Sequence, residues 1–153
     1  MKVGVFVDEQ LQSLLTIASE ANLTAVQLHG DETPEYCEHL KQTFVIKAFG
    51  ARHDLDVSAY KVDAIMLDTK DDLLRGGTGR VFDWTVAQGV RNSVTKLFLA
   101  GGLSPENVAA AIATVRPYAV DACSSLEHSP GKKNHTRMRA FVNAVRNVRL
   151  DAE

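Results

Sequence analysis

Short apolar runs alternate along the chain with segments that carry a helical spacing of apolar residues. The runs are Lys2–Val7, Ala25–Leu28, Phe44–Ala48, Ala64–Leu67, Leu97–Ala100 and Ala119–Val120. Most show no polar–apolar alternation, the pattern of strands covered on both faces. Val, Ile and Phe dominate them, in keeping with β preference.

The intervening segments carry helix caps and stripes. Asp8 is placed to cap a helix whose face is Leu11, Leu14, Leu15, Ala18 and Ala21. Thr33-Pro34-Glu35 and Ser104-Pro105-Glu106 each set a capping hydroxyl before a Pro at the first helical position. Val108, Ala111, Ile112 and Val115 follow the second, and Met138, Phe141, Val142 and Val145 predict a last helix with arginines outside.

The result is about six repeats of strand, loop and helix, with strands starting near residues 2, 25, 44, 64, 97 and 119. The repeat beginning near 64 is the longest. Successive βα units with right-handed crossovers make a parallel sheet, open and doubly wound or closed into a barrel. Periodicity alone does not separate the two. No linker or low-complexity stretch divides residues 1–153, so one domain is expected.

Composition narrows the function classes. The 153 residues are 45% hydrophobic, enough for a real core, and the net charge is −2 without blocks of like sign. Nucleic acid and anionic membrane are therefore not expected partners, since both need a basic patch. The two cysteines, Cys37 and Cys123, form no CxxC and no metal-like cluster. The apolar start is cut off by Asp8 and Glu9, too short for a signal peptide or a span. A reduced, soluble, cytoplasmic protein is the expectation.

In parallel α/β folds functional groups gather at the C-terminal strand ends. The residues there are Gln27 and His29, Lys47, Asp68, Gly101 and Gly102, and Asp121. Three segments suit phosphate. Residues 75–80 form a glycine-rich loop leading toward a helix that Asp83 would cap, Gly101-Gly102 precedes the Ser104 segment, and Asp121–Ser125 precedes the last helix. Glycines let backbone N–H groups approach anionic oxygens, and helix N-termini add a favourable dipole. Glycines also simply make turns, but three such segments on one rim favour phosphate.

Asp68 reads two ways. At the mouth of an apolar interior, desolvation raises a carboxylate toward the range where it donates a proton. The plainer reading is a cap or a loop ion pair, for instance with Lys70. His29 is similarly placed, while His39, His53, His128 and His135 fall in polar or helical stretches and read as surface residues.

At these positions the chain resembles phosphoribosylanthranilate isomerase. The matching segments are KVGVFV, VQLHGDETPEYC, VIKAF, IMLDT, GGTGRVFDW, LAGGLSPENV, RPYAVD and SPGKK, from the first residues to the last helix. The resemblance implies a parallel (β/α)8 TIM-type barrel and an Amadori rearrangement in tryptophan biosynthesis without metal or organic cofactor. N-(5-phosphoribosyl)anthranilate would become 1-(2-carboxyphenylamino)-1-deoxyribulose 5-phosphate. It implies Asp68 as general acid. Phosphate would be held by Gly101, Gly102, Ser124 and Ser125, helped by Gly77 and Gly79. Asp121, His29 and Gln27 would line the substrate pocket.

Two features depart from that family. The Cys-bearing KICG-type strand that supplies its general base, and the βα unit after it, have no counterpart here. KVGVFV matches the third strand, so six of eight units are expected. Ser125 replaces a usual Gly and is expected to crowd or reshape the phosphate loop. Cys37 falls in a helix, and Cys123 near the end of the last strand. An incomplete barrel has open edges, so association with a second copy or with a complementing chain is expected. Loss of a general base typically costs about 10²–10⁴-fold in rate. The contrasting reading is a non-catalytic phosphosugar-binding or assembly module derived from the same barrel; a flavodoxin-like open sheet fits the family match poorly.

Overall fold

The computed structural model describes residues 1–68 and 84–150. Six parallel strands form one sheet in sequential order. They are β1 Val3–Phe6, β2 Ala25–Leu28, β3 Phe44–Gly50, β4 Ala64–Asp68, β5 Leu97–Ala100 and β6 Ala119–Val120. Helices α1 Leu11–Glu20, α2 Pro34–Glu38, α3 Thr85–Arg91, α4 Val108–Val115 and α5 His135–Arg146 lie between and after them. A 3₁₀ turn at Ser124–Leu126 and a two-stranded hairpin, β7 Glu127–Ser129 with β8 Lys132–Lys133, precede α5.

Strand residues divide by parity into two layers. Val26, Leu28 and Val45 pack with Leu14 of α1 and Cys37 of α2. Ile65, Leu67, Leu97 and Leu99 pack with Ala87 and Val90 of α3, Val108, Ala111 and Val115 of α4, and Phe141 of α5. The opposite parity forms a separate cluster of strand residues alone: Ile46, Ala48, Ala64, Met66 and Ala100, with Phe44 and Phe98. A face that buries its side chains against one another, with no helix over it, must be concave. The register carries that face to the strand ends, pairing Met66 with Phe98, Gly50 with Asp68 and Asp68 with Ala100. On β1 the concave positions Val3 and Val5, in register with Ala25 and Gln27, remain 41% and 60% exposed at the sheet edge.

Several local expectations are corrected. Asp8 does not cap α1: it sits at φ +50°, and its carboxylate accepts the Asp31 N–H instead. The N-cap is Gln10, without a side-chain cap bond. Thr33 does cap α2, accepting the Tyr36 N–H with Pro34 following. Ser104 accepts the Glu106 N–H in a preceding turn, and α4 starts only after Asn107. Asn107 turns its amide back to the Ser104 N–H and the Gly102 carbonyl, delaying the helix. Between β3 and β4 the chain runs through turns, because Leu55, Val57, Tyr60 and Val62 follow no helical period. On α5, Phe141 is buried but Met138 and Val142 are exposed, since only one side meets α4 and the 3₁₀ turn.

Candidate functional site

The concave positions at the C-terminal ends of the strands bring the rim residues together. His29 follows β2, and its Nε2 lies 3.7 Å from Asp68 Oδ2 at the end of β4. Gln27, two residues earlier on the same strand face, hydrogen-bonds the His29 Nδ1 through its amide at 3.2 Å. Gln27, His29 and Asp68 therefore form one row across β2 to β4. A hydrogen bond to one ring nitrogen orients the imidazole and selects what the other nitrogen presents to the carboxylate.

Asp68 is also one wall of a cavity of about 250 Å³, completed by Ala100 at the end of β5, by Gly101, Gly102 and Leu103 after it, and by Asp121–Ser125 after β6. Gly101 and Gly102 hold φ of +84° and +67°, which bends the chain sharply away from β5. An L side chain is strained there, so the turn calls for glycine. Asp121, Ser124 and Ser125 line the facing wall. Gly77 and Gly79, the other two glycines expected at phosphate, lie outside the described residues, as does Asp83.

Ser125 joins the two loops that wall the cavity. Its hydroxyl donates to the Leu103 carbonyl, tying the loop after β6 to the loop after β5. Arg137 of α5 strengthens the same junction. Its Nε donates to the Ser125 carbonyl at 2.6 Å and its Nη2 to Glu106 at 2.9 Å. The Ser104 hydroxyl and Arg137 together hold the Glu106 carboxyl down to about 2.

Beside the cavity, Lys133 of the hairpin donates to Glu127 at 2.8 Å and to Cys123 Sγ at 3.1 Å. The Glu127 carboxylate, followed by Cys123, raises the Lys133 ammonium, and Lys133 lowers Glu127 in return. Cys37, by contrast, is enclosed in the helix layer, where burial pushes its thiol up to about 11. The described residues hold no group of three or more His, Cys, Asp or Glu able to bind a metal.

Sequence reasoning placed Lys47 among the rim residues but missed that it is fully buried and paired with Glu32 at 3.2 Å. A lysine inside the apolar run FVIKAF was the available signal, because a buried charge requires a partner. It also missed Arg137, which the helix pattern had assigned to an outer face.

A family profile described as N-(5'-phosphoribosyl)anthranilate (PRA) isomerase matches residues 1–144. The chain belongs to the phosphoribosylanthranilate isomerase family. It is 47% identical over 151 residues to an N-(5'-phosphoribosyl)anthranilate isomerase of Thermotoga neapolitana, covering 96% of this chain and 73% of that protein. The crystal structure of phosphoribosyl anthranilate isomerase from Thermotoga maritima superposes with a TM-score of 0.83 at 41% identity, over 94% of this chain and 72% of that one. A phosphoribosyl anthranilate isomerase in complex with reduced 1-(o-carboxyphenylamino)-1-deoxyribulose 5-phosphate superposes with a TM-score of 0.79 at 38% identity, over 94% of this chain and 70% of that one. Among the described residues, no helix is long and apolar enough to cross a membrane.

Proposed function

We infer that this member of the isomerase family acts on N-(5-phosphoribosyl)anthranilate, converting it to 1-(2-carboxyphenylamino)-1-deoxyribulose 5-phosphate in tryptophan biosynthesis. The observation that carries the reading is Asp68. It stands between the His29 imidazole and a cavity built from the Gly101–Gly102 turn and the Asp121–Ser125 loop. A phosphate held by backbone N–H groups of Gly101, Gly102, Ser124 and Ser125 sets the sugar over the Asp68 carboxyl. Gly77 and Gly79 complete that cradle in the proposal, and Asp121 faces the amine or the sugar hydroxyls.

Asp68 then protonates the ribose ring oxygen, which opens the ring and leaves a Schiff base. A general base removes the proton from the adjacent carbon, and the resulting enolamine tautomerises to the ketone. His29, oriented by Gln27, keeps Asp68 aimed at the ring oxygen. The relative holding the reduced product analogue supports a phosphorylated sugar–anthranilate ligand for this fold.

The six-stranded curved sheet is read as six units of an eight-unit barrel, in the cytoplasm like other soluble biosynthetic enzymes. Val3 and Val5, exposed on the concave side of the edge strand, are read as the surface that a second copy or a complementing chain covers. Sedimentation of the Val5→Lys variant tests this: an assembly unchanged by a charge at that position sinks the contact.

The deciding experiment follows loss of phosphoribosylanthranilate fluorescence with this chain and with Asp68→Asn. Turnover that the substitution reduces by about 10²–10⁴-fold supports the acid role. It would also place the base within residues 1–153, and Cys123→Ser is then the next variant. Without turnover, thermal stabilisation by the reduced product analogue favours the non-catalytic binding module. The absence of both signals removes the functional reading.

A further inference from the structure

Glu32 and Lys47 form a buried ion pair that the chemistry above does not use. Their side chains are 2% and 1% exposed. Lys47 leaves β3 on the helix-facing side, with Val45 and Phe49, and runs upward beneath the turn that follows β2. Its ammonium donates to the Gly30 carbonyl at 2.7 Å, to the Ala48 carbonyl at 3.0 Å and to Glu32 Oε2 at 3.2 Å, with the Leu28 carbonyl at 3.5 Å. Glu32 accepts the Gly30 N–H at 3.0 Å and the Asp8 N–H at 2.9 Å.

Three of these bonds flank one residue that takes part in none of them. The Leu28 carbonyl, the Gly30 N–H and the Gly30 carbonyl flank His29 on either side, and the His29 N–H itself is held by the Phe6 carbonyl at 2.8 Å. Gly30 is closely packed and leaves no room for a side chain, since a Cβ there would stand 2.3 Å from Asp8 Oδ1. Peptide groups before and after the imidazole-bearing residue are therefore hydrogen-bonded. Placing two charges out of water is costly, and such pairs are often no more stabilising than apolar residues of the same shape. What the pair supplies that an apolar pair lacks is directional hold on the peptide groups around His29.

We propose that Glu32 and Lys47 are positioning residues that set the His29 ring against Asp68 and so aim the acid at the substrate. This rests on the isomerase reading for its catalytic consequence, but the positioning itself is measurable without turnover. The variants are Glu32→Gln, Lys47→Met and the neutral double variant. Far-UV circular dichroism and a cooperative melt establish folding, and ¹⁵N and ¹³C imidazole resonances report each histidine.

In folded variants the His29 resonances move while those of His128 and His135, on the hairpin and α5, stay in place. With phosphoribosylanthranilate, kcat falls on the order of tenfold to a hundredfold with little change in KM, as expected for misplacement of a reacting group. If the chain does not turn over, affinity for the reduced product analogue is the second readout. A folded double variant with His29 unmoved overturns the proposal. Failure of all three variants to fold also overturns it, assigning the pair to folding alone. Asp68→Asn leaving turnover and binding unaffected would sink the isomerase reading while the His29 result stood.

Discussion

The Ser125 hydroxyl donates to the Leu103 carbonyl, so the loops after β5 and β6 are fastened to each other across the cavity mouth. The Ser125 side chain thus supplies a cross-loop bond that a glycine at this position could not make. Ser125→Ala removes the bond and leaves a Cβ; Ser125→Gly removes both. Each should lower stability by about 0.5–1.5 kcal/mol, the net worth of one such bond. Affinity for the product analogue should fall more for Gly, because the loop gains conformations. Chemical denaturation and calorimetric titration read the two effects, and unchanged stability in both variants would show that the bond contributes nothing.

Gly102 separates backbone strain from crowding. A Cβ there meets nothing within 4 Å, but the residue sits at φ +67°. Gly102→Ala should therefore cost about 1–2 kcal/mol by conformation alone. Gly50 also has open space around a Cβ and does not share the positive φ, so Gly50→Ala is the control and should be close to neutral. Urea unfolding of the two variants side by side gives the comparison; equal costs would rule out strain at the β5 turn.

The two cysteines should differ sharply toward a thiol reagent. Cys37 is buried and its thiol pushed up to about 11, whereas Cys123 is exposed. Near pH 8 the native protein should release one fast equivalent from the aromatic disulfide reagent and a second only in denaturant, because the thiolate is the reacting species. Two fast equivalents would mean that the helix layer over Cys37 opens readily. Cys123→Ser should abolish the fast phase.

Glu106 supplies an acid-side signature. Its carboxyl is lowered from 4.5 to about 2 by the Ser104 and Arg137 hydrogen bonds. A depressed carboxylate contributes stability above its unfolded value, and the contribution is lost as pH falls from about 4.5 toward 2. The melting temperature of the wild type should thus drop more steeply across that window than that of Glu106→Gln. Parallel curves would show that the Arg137 bridge is not held in solution.

Much of the architecture was already set by local sequence. Apolar runs without alternation mark two-sided strands, and the observed strands begin at residues 3, 25, 44, 64, 97 and 119. Because parallel strands all point the same way, the polar residue ending each run had to fall on one rim, which is why Asp68, Gly101, Gly102 and Asp121 meet. The Thr33 cap was equally legible, since its hydroxyl reaches a backbone N–H only three residues away.

The tertiary structure decided what depends on partners distant in sequence. Both faces of these strands are apolar, so the runs could not say which face is concave, and hence which side chains share a site with Asp68. Lys47 read as a rim residue because periodicity does not register that Glu32, from another loop, lies beneath it. Asp8 left its expected cap because the Asp31 N–H, on the neighbouring loop, was a closer partner than its own helix. Sequence sets local conformation through propensities acting over a few residues; which loops meet is settled only when the sheet curves and brings its strand ends together.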